Sequence, residues 1–281
     1  MTLQQAITWG RQQLSQSEDV NADVSALICH VLDKDKAYLL TWPERQLTEE
    51  QQKLYQDCIV ARKQGRPVAH IIGCREFWSL MLEVNDSTLI PRPDTETLVE
   101  VALGLELPAN AKVLDLGTGT GAIALALKSE RPGWQIMACD NNEQAVDLAR
   151  RNSQNLGLDV EILCSSWFQS VPKSSKFDLI LSNPPYIDAA DPHLVTGDVR
   201  FEPHSALIAE NKGLADIETI IKEAKDYLAD QGWLLLEQGW QQADSVVELL
   251  FKSGYKKVNR WQDYARVERV TGGTKVRAER E

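Results

Sequence analysis

No C-x-x-C pair occurs in this chain, and its five cysteines (Cys29, Cys58, Cys74, Cys139, Cys164) are odd in number and widely spaced. That excludes a disulfide framework and a cysteine zinc site, and it suits free thiols in a reducing compartment. The four histidines (His30, His70, His193, His204) have no metal-ligand spacing, so no metal is expected. Long apolar runs are missing too. The longest, Ala122–Leu127 and Trp233–Leu236, fall far short of the roughly 20 residues of a membrane span. Met1-Thr2-Leu3-Gln4-Gln5 has no basic segment leading into an apolar core, so neither membrane nor secretion is expected and a cytoplasmic location is. Positive charge is scarce: 30 Lys and Arg face 41 Asp and Glu, for a net charge of −11. Residues 1–83 hold 9 and 11 of these, leaving 21 and 30 for the rest, so the larger part of the chain is the acidic one. An extended phosphate backbone is an unfavourable partner for such a surface.

What is present is ordinary globular composition, 43% hydrophobic and 25% charged over 281 residues. That excludes a disordered chain, a collagen and a long coiled coil, and the length suggests about two domains. Residues 1–75 read as helical. Leu3, Ile7 and Leu14 share one helical face, and Val24, Leu27, Ile28, Val31 and Leu32 another. Thr48 and Gln51 form a capping box ahead of a helix whose apolar face is expected to carry Leu54, Cys58, Ile59 and Ala61. This lobe is open to two readings, a plain helical bundle or a substrate-docking module. Residues 76–96 read as a hairpin and linker, with a strand over Phe77–Val84, a turn at Asn85-Asp86 and a second strand at Thr88-Leu89-Ile90. Pro91-Arg92-Pro93-Asp94-Thr95-Glu96 then stiffens the link, with Asp94 expected to cap the next helix. From 110 onward strands and helices alternate, which predicts an α/β domain, bounded at 97–281, with a parallel sheet covered on both faces and an antiparallel ending. The tail Gly272–Glu281 is expected to fray.

Two runs carry chemistry. Asp115-Leu116-Gly117-Thr118-Gly119-Thr120-Gly121 lies where the first predicted strand passes into a helix, and Asp140 closes the second strand 19 residues beyond Gly121. Glycines permit a tight turn and close approach of a ligand, and an acid there can accept hydrogen bonds from two ribose hydroxyls. This much suits a nicotinamide dinucleotide and S-adenosylmethionine equally. Asn183-Pro184-Pro185-Tyr186 follows the fourth predicted strand. Its prolines fix the chain path, so the loop presents an amide oxygen, a proline carbonyl and an aromatic face. Those groups suit a planar substrate NH2, with two acceptors for its hydrogens and one face for stacking.

The glycine loop, Asp140 and Asn183–Tyr186 resemble class I S-adenosylmethionine-dependent amino-group methyltransferases. Arg75-Glu76-Phe77-Trp78, the Pro91–Glu96 run and Val199-Arg200-Phe201-Glu202-Pro203 narrow the resemblance to the bacterial release factor glutamine methyltransferases, the PrmC/HemK family, over nearly the whole chain. The resemblance implies a Rossmann-like domain with a mixed seven-stranded sheet behind a small helical N-terminal domain. It implies S-adenosylmethionine as cofactor, bound by Gly117, Thr118, Gly119, Thr120, Gly121, Asp140, Trp167 and Asn183. It implies catalysis by Asn183, Pro184 and Tyr186, with Pro185 completing the substrate site. Class I peptide chain release factors are the implied substrate, methylated on the glutamine of a Gly-Gly-Gln motif by a monomeric enzyme. Ser166 departs from the pattern, since family members often carry an acid before this Trp. Asn-Pro-Pro-Tyr is also found in DNA adenine methyltransferases, so N6-adenine methylation is the enzyme rival, beside methylation of a ribosomal-protein glutamine. A catalytically idle module that binds cofactor or a translation factor is the rival from another class.

Overall fold

The computed structural model describes residues 1–195 and 197–276. It divides into two compact units, Met1–Cys74 with Val195–Phe201, and Arg75–Leu194 with Glu202–Glu281. In the first, the helices Leu3–Gln13, Val20–Leu32, Lys36–Thr41, Glu49–Lys63 and Val68–Ile72 enclose a core of Leu3, Val24, Leu27, Ile28, Tyr55 and Ile59. The capping box forms as expected, with Gln51 N–H donating to Thr48 Oγ1 and Thr48 N–H to Gln51 Oε1, both at 3.1 Å. The apolar face of that helix carries Cys58 and Ile59 as expected and departs from expectation at Leu54. Tyr55, Cys58 and Ile59 point inward at the helical repeat, while Leu54 is 46% exposed. Arg62 joins Asp23 at 2.7 Å and Asp198 at 2.6 Å, which ties the 195–201 segment into this unit.

The hairpin near 80 is shorter and earlier than expected. Strand β1 (Cys74–Phe77) pairs with β2 (Leu80–Glu83), and Trp78 and Ser79 turn between them at φ +52° and +59°. Two residues of positive φ match the twist of adjoining strands, a conformation that Trp and Ser do not announce in sequence. Asp94 does not cap a helix either. A 3-10 turn Pro93–Thr95 leads into the helix Glu96–Gly104 without a side-chain cap, and Asp94 pairs with Arg269 at 3.1 Å.

Seven strands form the main sheet: β3 (Lys112–Leu116), β4 (Gln135–Asp140), β5 (Glu161–Cys164), β6 (Phe177–Ser182), β7 (Leu228–Glu237), β8 (Lys256–Gln262) and β9 (Glu268–Thr274). Their order is β5-β4-β3-β6-β7-β9-β8, with β3 to β7 parallel and β9 antiparallel to both β7 and β8. This is the expected mixed sheet. Alternate residues of each central strand enter different cores. Val113, Leu179, Leu181 and Leu235 face the core that includes Leu98, Val99 and Leu125; Leu114, Ile180, Leu234 and Leu236 face the one that includes Ile217, Ile220 and Val246. Burial on both faces explains why these strands read as continuous apolar runs. Gly272–Thr274 is strand rather than frayed tail, because it pairs with β7 and β8; residues 277–281 of the expected tail lie outside the described residues. Among the described residues, no helix is long and apolar enough to cross a membrane.

Candidate functional site at the carboxyl edge of the sheet

The chain runs from β3 outward to β4 and β5 on one side and to β6 and β7 on the other, so the strand order reverses between β3 and β6. Loops leaving the carboxyl ends at such a switch point diverge and open a crevice. Register puts the candidate residues level there: Leu116 pairs with Cys139 and Ser182, Asp140 with Cys164, and Ser182 with Leu236.

The glycine loop is built to approach a ligand. Gly117 and Gly119 have φ of +72° and +55°, where a side chain is strained. Gly117 and Thr118 N–H both donate to Cys139 O at 2.9 Å, Thr118 Oγ1 donates to buried Asp115 Oδ2 at 2.6 Å, and Asn152 Nδ2 donates to Thr120 O at 2.9 Å. The loop is therefore pinned by β4, by its own acid and by a helix side chain.

Asp140 receives Gly119 N–H on Oδ2 and Asn142 N–H on Oδ1, each at 2.9 Å. Each carboxylate oxygen accepts about two hydrogen bonds, so one site per oxygen is left for a pair of hydroxyls. Burial raises its pKa, and the backbone N–H groups of Asn142, Gly119 and Asn141 oppose that. Trp167 is half-buried at φ +46°, with its carbonyl accepting Ser165 Oγ at 2.9 Å. A Cβ added to Gly117 would lie 3.5 Å from the Trp167 ring, so the indole faces the glycine loop.

Asn183-Pro184-Pro185-Tyr186 leaves β6 beside β7. Asn183 Nδ2 donates to Thr95 Oγ1 at 3.1 Å; Tyr186 Oη donates to buried Glu237 Oε1 at 3.3 Å, and Gln242 Nε2 donates to Tyr186 O at 2.9 Å. Gly213 is required here, because a Cβ would stand 2.0 Å from Tyr186 O. Glu202 is shielded from solvent. Its side chain is fully buried, pairs with Arg92 at 2.6 Å and receives Ile90 N–H at 3.2 Å.

One cleft of about 880 Å³, counting its open mouth, is lined by Gly117, Thr118, Gly119, Thr120, Asp140, Trp167, Asn183 and Pro185. The remaining predicted residues, Gly121, Pro184 and Tyr186, do not line it. Pro184 is buried, and Tyr186 packs beside the core on the Ile217 side. The cleft also takes in Thr88, Arg92 and Thr95, which the sequence did not single out for chemistry. Thr88 is 2% exposed and its Oγ1 has no partner, the condition of a polar group that a ligand satisfies.

Two buried carboxyls lie at this edge: Asp115, which opens the glycine run, and Glu237, which the sequence reading missed. Burial pushes each up to about 7, against hydrogen bonds from Thr118 to the first and from Thr95 and Tyr186 to the second. Unfolded, both release their protons near the ordinary 3.8 and 4.5. Between those values and 7 the folded chain holds protons that the unfolded chain lacks, so stability falls as pH rises through that window and levels above it. The cost is on the order of 2 kcal/mol per carboxyl between pH 5.5 and 7. Thermal melts of the unliganded protein should show a steeper loss from pH 5.5 to 7.5 in wild type than in an Asp115→Asn, Glu237→Gln double variant. Parallel pH profiles would contradict the assignment.

Comparison with known proteins identifies the family. Family models match the chain as a PrmC N-terminal domain over residues 5–73 and a methyltransferase small domain over 94–199. A release factor glutamine methyltransferase of Shewanella oneidensis is 55% identical over 96% of this chain and 94% of its own length. The Escherichia coli protein of the same description is 48% identical over 94% and 97%. A methyltransferase structure from Pyrococcus furiosus matches 77% of this chain and 100% of its own with a TM-score of 0.57, at 18% identity, which speaks to the fold alone. At that identity and coverage the chain belongs to the release factor glutamine methyltransferase family.

Proposed function

We propose that the chain transfers a methyl group from S-adenosylmethionine to the side-chain amide nitrogen of the glutamine in the Gly-Gly-Gln motif of class I peptide chain release factors. The observation that carries this reading is the single cleft that joins the glycine loop, Asp140 and Trp167 to Asn183 and Pro185. Its residues fit the cofactor. Asp140 has acceptor sites for two ribose hydroxyls, Trp167 offers a ring to adenine, and the Gly117–Gly121 backbone allows close approach. When bound, S-adenosylmethionine supplies an electrophilic methyl group. Ser166 leaves the adenine amino group without the acid that family members often place there.

The chain's own task is orientation. An amide nitrogen is a poor nucleophile because its lone pair is delocalised into the carbonyl. In this reading its NH2 donates to the Asn183 side-chain oxygen and the Pro184 carbonyl, which aims the lone pair along the line of transfer. Pro185 bounds the slot and Tyr186 braces the loop. The nitrogen gains the methyl and gives up one proton, and an N-alkylated amide is acidic enough to lose it to water without a strong base. Alignment of this kind contributes up to roughly 7–11 kcal/mol. The 1–75 lobe serves as the docking module for the body of the factor, the 76–96 link joins it to the 97–281 methyltransferase domain, and the enzyme works as a cytoplasmic monomer on protein rather than nucleic acid.

Asp140→Ala should weaken cofactor binding by about 10- to 150-fold, the loss of charged hydrogen bonds worth about 1.5–3 kcal/mol. Titration calorimetry reads this directly, and an unchanged affinity would remove Asp140 from the cofactor site. The function itself is tested by incubating the protein with labelled S-adenosylmethionine, a release factor and duplex DNA together. Label in the factor is the expected result. Label in DNA alone would transfer the assignment to adenine methylation.

A further inference from the structure

The half-buried side chain of Gln242 binds backbone groups of three separate loops at the carboxyl edge of the sheet. Its Oε1 accepts Gly239 N–H at 2.9 Å, in the loop that follows β7. Its Nε2 donates to Tyr186 O at 2.9 Å and to Lys212 O at 3.0 Å. A primary amide has two N–H donors and one carbonyl acceptor, so both kinds of group are in use here. The Gln242 backbone N–H adds a bond to Gly239 O at 2.9 Å, which closes the turn that carries the side chain.

The loops joined in this way are closely fitted. Asn211, Lys212 and Gly213 lie in succession in the left-handed region, at φ of +53°, +57° and +81°. Only glycine adopts that region without strain, so the turn at Asn211 and Lys212 persists because its contacts hold it. The turn abuts the Tyr186 carbonyl, which a Cβ on Gly213 would approach to 2.0 Å. On the other side, a Cβ on Gly239 would lie 3.5 Å from the Tyr186 ring. Ile187, next along the chain, is paired as well: its N–H donates to Leu207 O at 2.9 Å and its O accepts Ala209 N–H at 3.0 Å. Upstream, Asn183 is anchored by β6 and by Thr95 at 3.1 Å. Between these anchors the rings of Pro184 and Pro185 fix φ. The direction of the Pro184 carbonyl therefore depends on where the chain is held at Asn183 and at Tyr186, and Gln242 holds it at Tyr186.

We infer that Gln242 is a positioning residue for the methyl transfer: by tying the Tyr186 carbonyl to the Gly239 and Lys212 backbones it fixes the exit of the Asn183–Tyr186 loop, and with it the aim of the Pro184 carbonyl at the substrate NH2. Gln242 does not line the cleft, so its effect runs through the loop. Misplacing such an acceptor by about 1 Å lowers rate more than binding, because alignment matters most as the nitrogen approaches the methyl group. This inference rests on the glutamine-methyltransferase reading, and its test separates the two.

The experiment uses the full-length protein, an intact release factor and saturating S-adenosylmethionine. Gln242→Met keeps the length of the side chain and removes all of its hydrogen bonds. Gln242→Glu keeps the acceptor for Gly239 N–H and replaces the NH2 that served two carbonyls with an oxygen. Gln241→Met, at the exposed neighbouring position, is the control. Both Gln242 variants should lower kcat by about ten- to a hundredfold while the KM for the factor and the calorimetric affinity for the cofactor stay within about twofold of wild type. The control should keep its kcat within about twofold. A kcat within about threefold of wild type in either Gln242 variant, or a loss of kcat matched by an equal loss of cofactor affinity, would overturn the inference. Circular dichroism showing either variant unfolded at the assay temperature would overturn it too, since Gln242 would then hold the fold rather than aim the loop. A wild type that leaves the factor unmodified defeats the underlying reading, whereas one that methylates it no faster than Gln242→Met defeats this inference alone.

Discussion

Asn183→Ala is expected to lose at least about a thousandfold in methyl transfer while its affinity for S-adenosylmethionine stays within about threefold. The residue leaves β6 at the switch point, lines the same cleft as the glycine loop and is held through Nδ2 by Thr95. In the proposed mechanism its oxygen takes one of the two substrate N–H groups, a contact that matters most when the nitrogen begins to carry positive charge. Losing it removes stabilisation from the transition state more than from the bound ground state, so kcat falls and binding does not. In the proposed function the cofactor is held mainly by residues that follow β3, β4 and β5, all lining the cleft, which the substitution leaves alone. Single-turnover kinetics with calorimetry of cofactor binding separates these effects. Turnover within tenfold of wild type, or a parallel collapse of cofactor affinity, would remove Asn183 from the reaction centre.

A short Gly-Gly-Gln peptide should react with a kcat/KM at least about a hundredfold below that of a whole release factor, because binding energy remote from the amide would be missing. The flanking glycines let such a loop enter a narrow cleft, but they offer few contacts of their own. The helical unit has its own core around Tyr55, Leu27 and Ile28, and it exposes Leu40, Trp42 and Val60 at 84%, 51% and 51%. In the proposed function this lobe binds the body of the factor. Removing residues 1–75 should therefore cost the intact factor far more than the peptide, in a variant whose circular dichroism and melting show a folded sheet domain. Equal losses on both substrates would assign the lobe to stability rather than docking.

The readability of this chain depends on whether neighbours in space are neighbours in sequence. Lys112–Leu116, Glu143–Leu156 and Phe177–Ser182 are legible in the sequence, because a buried strand or an amphipathic helix repeats its pattern within one short window. The glycine loop and Asn183–Tyr186 are legible for the same reason, each being a consecutive run directly after a strand. Thr95 and Glu237 were not. They meet Asn183 and Tyr186 only because β6 pairs with β7 and the Pro93–Thr95 turn packs beside them, a juxtaposition across 142 positions of chain. Trp78 and Ser79 carry no glycine or asparagine to announce a tight turn, so the hairpin was expected too late. Leu54 was expected inside on hydrophobicity, yet Tyr55 occupies the core face because its ring fills the space beside Gly10, where a Cβ would stand 2.1 Å from Tyr55 Oη.

The central claim concerns one atom, and tandem mass spectrometry of a release factor treated with wild-type protein and S-adenosylmethionine reads it most directly. The account predicts a single added methyl, carried on the side-chain nitrogen of the Gly-Gly-Gln glutamine and absent from the Asn183→Ala reaction. A factor left unmodified, beside methylated adenine in DNA present in the same tube, would contradict it.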